Sequence, residues 1–332
     1  MSSQTQKVSQ SRTADLFNSV GRALLEFDVK VVLYPIMGLV AFCIVWSITA
    51  NRIETSLGKF PGPGLVFEQA TVLVDEHREA KQKAAAFYER QEKRNAAKLA
   101  KDPNAQVKIR KYTGKETFFD QILTSLKTVM FGFVIASLIA VPAGIVCGLS
   151  DGIYKAVNPL IQIFKPVSPL AWLPLITMVV SAVYVSDDPF FEKSFLNSAL
   201  TVALCCLWPT LINTAVGVAN VDKDLLNVSR VIKLPALTHV RKIILPASIP
   251  MIFTGLRLSL ATGWMVLIAA EMLSQNPGLG KFVWDEFQNG SSNSLSRIMV
   301  AVVVIGVIGF ALDRLILVIQ RWVSWDKLAV LR

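Results

Sequence analysis

The chain is 332 residues long, 53% hydrophobic and only 17% charged, with a mean hydropathy of +0.49. A soluble globular protein carries about 25% charged residues, and here 24 of the 58 charges fall within residues 51–121. This excludes a soluble enzyme, a disordered protein and a disulfide scaffold, and leaves an all-α, polytopic helical membrane protein.

The net charge of +10 fits Lys and Arg gathered at cytoplasmic helix ends better than it fits a nucleic-acid partner. Cys43, Cys147, Cys205 and Cys206 all lie in apolar segments without metal-ligand spacing, and read as small apolar residues. No P-loop is present, since Gly278-Leu-Gly280-Lys281 lacks the spacing that wraps a phosphate. HExxH and GxSxG are also missing, and His77 and His239 are the only histidines. The chain therefore calls for no cofactor, no metal and no catalytic residue of its own. It reads as a membrane path or scaffold rather than an enzyme.

Residues 1–30 form a polar N-terminal segment without the early apolar core of a signal peptide. Leu16, Phe17, Val20, Leu24 and Phe27 fall at helical spacing and predict an interfacial helix. The first span is expected at 31–51. Residues 52–121 form a charged insertion that opens on the turn cluster Phe60-Pro-Gly-Pro-Gly64. Val66 to about Lys101 then reads as one helix, with Glu79–Lys83 and Glu89–Lys93 at i,i+4. Its apolar stripe is thin. It reads as a solvated helical hairpin or family-specific insertion, with a docking surface for an extracytoplasmic partner as the alternative.

The core, 122–325, carries five further spans: Thr128–Leu149, Pro166–Val185, Ser194–Val221, about Ala247–Met272 and about Ile298–Gln320. Each can cross a hydrocarbon layer of roughly 30 Å. Lys223, Arg230, Lys233, Arg241 and Lys242 make the loop 222–246 basic, while Asp187, Asp188 and Glu192 make the preceding loop acidic. Six spans with both termini cytoplasmic satisfy this bias, with 326–332 as a cytoplasmic tail. The insertion then faces outside.

Loop 222–246 reads DKDLLNVSRVIKLPALTHVRKIILP. Leu225, Leu226, Val228, Val231, Ile232 and Leu234 fall at helical spacing and end at Pro235. Leu237, Val240, Ile243 and Ile244 form a second short turn ending at Pro246. Two short helices with a break are expected, and their apolar stripe is too short to fold alone. It packs on the ends of its own spans or docks into a groove of a soluble partner.

This loop resembles the EAA loop of binding-protein-dependent (MetI-like) ABC-transporter permeases. The family pattern has Glu-Ala-Ala, three residues, Gly, nine residues and Ile-x-Leu-Pro. Asn227-Val228-Ser229 stands at Glu-Ala-Ala, Lys233 at the Gly, and Ile243-Ile244-Leu245-Pro246 at the end. The resemblance covers about Phe118 to Trp325. Pro169-Leu-Ala-Trp-Leu-Pro174 and Thr254-Gly-Leu-Arg257 resemble the branch serving nitrate, bicarbonate, taurine and alkanesulfonates. Asn227-Val-Ser-Arg230, Ala269-Ala-Glu-Met-Leu273 and Gly278-Leu-Gly280 are most similar to nitrate/nitrite/cyanate and bicarbonate permeases.

The resemblance implies a permease subunit of an ATP-driven importer for a small inorganic oxyanion, most simply nitrate/nitrite or bicarbonate. Taurine- or sulfonate-type anions are the alternative, as is a transporter that works without ATP. The implied partners are two ABC ATPase domains, an extracytoplasmic substrate-binding protein and a second permease subunit, most simply an identical copy. All would assemble in a bacterial inner membrane. The implied ATPase-coupling residues are Leu225, Leu226, Asn227, Val228, Ser229, Arg230, Val231, Ile232, Lys233, Leu234, Ile243, Leu245 and Pro246.

Charges within spans are few, so each is a candidate. Arg257 and Asp313 both lie roughly 10–12 Å from the cytoplasmic end. They form an ion pair, or Arg257 serves as a pathway cation or snorkels to the interface. Glu271 has the wrong sign for an anion ligand and is expected to hydrogen-bond across helices or help form an outer gate. Trp264 is a further candidate along the path, although Trp172, Trp208 and Trp264 read more simply as packing residues. Gly255, Ser259 and Gly263 form a small-residue face, expected at a subunit interface or pore wall.

Overall fold

The computed structural model describes residues 29–55, 58–101, 107, 109–185, 190–291 and 293–324. The expected interfacial helix over Leu16–Phe27, the acidic pair Asp187–Asp188 and the tail 326–332 lie outside these residues. Two compact units divide the chain at Val66.

The first unit contains α1, Val29–Ala50, a charge-poor helix of 22 residues. Its apolar side chains are exposed along its length, Phe42 to 63% and Leu39 to 65%. In water such a surface would collapse; in lipid it is the expected exterior. At its end the Trp46 indole N–H donates to Pro61 O at 3.2 Å. A small hairpin pairs β1, Glu54–Thr55, with β2, Gly58–Lys59.

The second unit is a helical bundle. In chain order it holds α2 (Pro63–Lys101, whose first residues belong to the first unit), α3 (Phe118–Leu149), α4 (Asp151–Phe164), α5 (Pro169–Val183) and α6 (Lys193–Ala219). There follow α7 (Lys223–Val231), α8 (Ala236–His239), a π turn (Val240–Ile244), α9 (Leu245–Ser274), α10 (Leu279–Asn289) and α11 (Ser294–Val323).

α6 is the axis of packing. Ala199, Val202 and Cys206 on it are fully buried. α3 lies directly against it, because a Cβ at Gly144 would sit 2.6 Å from the Thr214 Cβ. α9 closes on α6 from another side: a Cβ at Gly255 would meet the Asn213 Cβ at 2.9 Å. Ser259 Oγ is hydrogen-bonded to Thr210 Oγ1 at 2.7 Å. Small residues let these backbones approach closely.

Four expectations are corrected. The face Gly255–Ser259–Gly263 is neither a subunit interface nor a pore wall; it packs α9 onto α6 within the chain. The second span begins ten residues earlier than expected, at Phe118. A capping box explains this: Thr117 accepts from the Asp120 N–H, and the Asp120 carboxylate accepts from the Thr117 N–H.

The third span, expected over Pro166–Val185, is a helix of only 15 residues, α5. It reaches about 22 Å, less than a hydrocarbon core. α4 precedes it at a bend of 98°. The Ser168-Pro169 start explains the break, since proline lacks the N–H that would continue a helix. Among the described residues five helices are long and apolar enough to cross a membrane, and six if the bent pair is taken as one span.

The loop before Pro246 does not hold two short helices. α8, the π turn and α9 run on as one helix, Ala236–Ser274, of 39 residues. Pro246 cannot donate to a carbonyl one turn back, and the wider π turn just before it, where Leu245 N–H reaches Val240 O, absorbs that defect.

Candidate functional site

The loop between α6 and α9 is built from a cap, a stripe and a clasp. Asp222 caps α7 by accepting the Asp224 N–H at 2.9 Å. One face of α7 points inward, where Leu226 packs on the buried cluster of Val218, Val221 and Ile244. The opposite face presents Leu225, Val228, Val231 and Ile232 to the exterior, 46–81% exposed. A contiguous exposed apolar stripe of this kind marks an interaction surface. Asn227, Arg230 and Lys233 flank it, also exposed.

After α7 the chain reverses sharply. Lys233 adopts φ +51, the left-handed region that glycine occupies freely and lysine does not. Leu234 N–H closes the turn on Ser229 O at 3.2 Å. The turn associated with the family's glycine is therefore made here with a lysine. Ser229 is 4% exposed, and its Oγ shares a hydrogen bond with His239 Nδ1 at 2.6 Å. Sequence reasoning missed His239, because a lone histidine ten residues from a serine carries no signal until the turn brings them together. Ile243 and Leu245 are half-buried and Pro246 is exposed.

Within the spans, Arg257 and Asp313 meet in a bidentate pair. Nε donates to Oδ1 at 2.9 Å and Nη2 to Oδ2 at 3.2 Å, with both side chains 32% exposed. Trp264, about two turns further along α9, is buried and donates its indole N–H to Ile305 O at 3.0 Å. Glu271 is not part of this group, standing about 21 Å further along the helix.

Glu271 is fully buried and ties three elements together. Ser125 Oγ of α3 lies 2.8 Å from both carboxylate oxygens and donates to them. Gly280 N–H donates to Oε2 at 2.9 Å, and Leu279 N–H donates to Ser125 Oγ at 2.8 Å. The carboxylate thus receives the N-terminus of α10, where backbone N–H groups need acceptors. α10 itself, amphipathic and broken off from α9 at Gln275 (φ +57), was not read from the sequence.

A second network lies at the same end of the bundle. Arg297 pairs with Glu286 at 2.9 Å and with Glu76 of α2. His77 Nδ1 is hydrogen-bonded to Thr117 Oγ1 at 2.6 Å, Lys81 reaches Asp120 at 3.3 Å, and Leu73 is 2% exposed. The charged insertion is therefore anchored on the bundle, not a free solvated hairpin.

Comparison with known proteins bears on this arrangement. The model of a family described as "Binding-protein-dependent transport system inner membrane component" matches residues 140–325. The nitrate import permease protein NrtB of Synechococcus elongatus is 35% identical over 219 residues, covering 63% of this chain and 75% of that protein. The bicarbonate transport system permease protein CmpB of the same species is 32% identical over 293 residues, 88% of this chain and 89% of that protein. Among solved structures, an inward-facing form of the MetNI methionine ABC transporter is similar with a TM-score of 0.52. It is 14% identical, covering 62% of this chain and 96% of that one, so the likeness is one of fold.

Proposed function

This chain belongs to the family of binding-protein-dependent transport system inner membrane components, and on that premise we propose that it carries a small inorganic oxyanion, nitrate or bicarbonate, inward at the expense of ATP hydrolysed by partner subunits. As a member of this family it is a multi-pass inner membrane transport component and not an enzyme. The nitrate and bicarbonate permeases among its relatives support the substrate class.

The observation that carries the reading is the uncovered apolar stripe of α7, with Val231 81% and Val228 57% exposed. In water this stripe costs free energy that docking recovers, at about 25 cal/mol per Å² covered. Its occupant is a groove on each of two ABC ATPase domains, one for each permease subunit of a pair, most simply two copies of this chain. Loop 222–246 is cytoplasmic on this reading, since it is rich in Lys and Arg. The insertion faces the opposite side, where a substrate-binding protein docks.

Movement of the ATPase is passed to α7 and, through the Ser229–His239 clasp, to the long helix Ala236–Ser274. Transport follows if the bundle then exposes its path alternately to the two sides and holds the anion with different affinity on each. The Arg257–Asp313 pair serves as a fastening between α9 and α11 rather than as the anion's ligand, because both charges already compensate each other.

The experiment reconstitutes the chain with its ATPase subunits and binding protein in liposomes and follows labelled nitrate and bicarbonate. ATP-dependent uptake of either is expected. Val228→Arg with Val231→Arg is expected to abolish ATPase co-purification and uptake together; retention of the ATPase would refute the docking role. Uptake of taurine alone would move the substrate class to organic anions.

A further inference from the structure

Between α7 and the bundle lies a cavity of about 420 Å³, lined from α7 by the inward-facing Leu226 and Ser229. Its floor is apolar and belongs to the ends of two spans. Gly148 and Leu149 close α3 there, and Val218 and Ala219 close α6. Ile244 adds to the floor from the π turn. Leu149 remains 47% exposed, although it ends a span.

Basic side chains meet over this floor. Arg230, Lys233 and His239 all line the cavity. The first two are exposed, and no carboxylate pairs with either among the described residues. His239 engages only its Nδ1 among the described residues, with Ser229, which leaves Nε2 to a ligand. Lys233 reaches the cavity from a left-handed turn, at φ +51, that glycine would adopt without strain. Strained backbone of this kind concentrates where it holds a side chain at a site. An apolar floor beside a group of cations suits an amphiphile that carries an anionic group.

We propose that this cavity binds the phosphate group of an anionic phospholipid, whose glycerol and first methylenes cover the apolar floor. A free oxyanion would satisfy the cations but leave Leu149 and Leu226 uncovered, whereas an anionic lipid meets both. The place suits it. Spans end where hydrocarbon gives way to headgroups, and basic pockets between spans bind anionic headgroups. The bound phosphate links Arg230 of α7 and Lys233 of the turn to His239 on the long helix, beside the Ser229–His239 clasp. The inference asks only that α3 and α6 cross the membrane. It depends neither on the ion carried nor on the side that the loop faces.

The test places the full chain with its ATPases in phosphatidylcholine nanodiscs, into which phosphatidylglycerol is titrated. Lipid retained after release into detergent is counted by native mass spectrometry, and amide exchange is followed over 226–240. Retained phosphatidylglycerol and slowed exchange are expected. Arg230→Gln with Lys233→Gln should weaken retention by about 10- to 30-fold, the usual worth of two basic residues beside an anionic surface. Arg241→Gln with Lys242→Gln removes the same charge from exposed positions of the same loop that do not line the cavity. It should weaken retention by less than about threefold. Equal losses in the two variants would overturn the proposal, because diffuse attraction to the membrane does not distinguish them. Lys233→Gly separates binding from folding: without phosphatidylglycerol its exchange should slow as strain is relieved, while retention falls by about fivefold. Unchanged retention in that variant would also overturn the proposal. Inorganic phosphate added to phosphatidylcholine nanodiscs should leave exchange as it is. If it protects the loop as the lipid does, the site belongs to a free oxyanion and the assignment to lipid fails.

Discussion

Ser229 Oγ and His239 Nδ1 lie 2.6 Å apart, joining the last turn of α7 to the first turn of the helix that becomes α9. The serine is buried and the loop has no other side-chain hydrogen bond between these two elements among the described residues. Removing one partner strands the other, at a cost of about 1–3 kcal/mol. Ser229→Ala and His239→Ala should each lower uptake per ATP hydrolysed while ATPase co-purification persists, because the docking stripe is untouched. His239→Asn, which keeps an acceptor or donor near the Nδ1 position, should restore part of the ratio. Equal uptake-to-hydrolysis ratios in all three variants would remove the clasp from the coupling path.

Lys233 pays for its turn in backbone strain. A left-handed conformation costs a non-glycine residue about 1–2 kcal/mol, and φ is +51 here. Lys233→Gly should therefore raise the local stability of the loop by up to about 1 kcal/mol, the remainder being offset by greater freedom when unfolded. Slower amide exchange over 228–236 would report it. Lys233→Val should do the reverse, since a β-branched residue tolerates this region least.

The bidentate geometry of Arg257 and Asp313 makes a double-mutant cycle informative. Either residue alone, replaced by Gln or Asn, leaves an unmatched charge in a span, at about 2–3 kcal/mol. Arg257→Gln combined with Asp313→Asn should recover most of the thermal stability and most of the uptake. Uptake that stays lost in the stable double variant, with a raised KM for the anion, would make Arg257 a ligand of the path.

Glu271 accepts from Ser125 Oγ and from the Gly280 N–H, and Ser125 Oγ in turn accepts the Leu279 N–H. Glu271→Gln turns one acceptor oxygen into a donor facing donors, and should cost about 1–3 kcal/mol, seen as a lower Tm. Ser125→Ala should cost a similar amount and not add fully, because the two share the network. Gly280→Ala should be worse than either, since its Cβ would run into the Ile268 carbonyl and the Glu271 side chain.

Glu116, on the segment entering α3, has its carboxyl held above the usual range by burial, then by Glu192 and Asp120, with Lys111 and Lys281 acting against them. A raised carboxylate pKa means that folding disfavours the ionised form, so the penalty is present above that pKa and vanishes below the unfolded value. Glu116→Gln should therefore raise Tm at pH 7 and leave it unchanged at acid pH where the native carboxyl is already protonated. A gain of equal size at both pH values would mean the effect is not electrostatic.

Most spans were legible because long charge-free runs have one use in a bilayer, and the Arg257–Asp313 pair was legible because equal depth can be counted along two helices. The bent pair α4–α5 was not, since Asp151 and Lys155 interrupt the apolar count while the helix continues through them. The Gly255–Ser259–Gly263 face showed close packing but not the partner, which sits on α6 more than forty residues earlier. Spacing alone marked out loop 222–246 but hid the Ser229–His239 clasp, which exists only once Lys233 has turned the chain. The anchoring of α2 through Glu76 and Arg297 joins residues 221 apart and has no local signature.

The π turn at Val240–Ile244 also sets a phase. It carries one residue more than an α-helical turn would need, and each residue of helix corresponds to about 100° of rotation. Deleting a single residue there would keep every anchor above Leu245 in place yet swing His239 roughly a quarter-circle around the shaft, away from Ser229 on α7. Five wide-wound residues thus decide the compass bearing at which His239 meets Ser229.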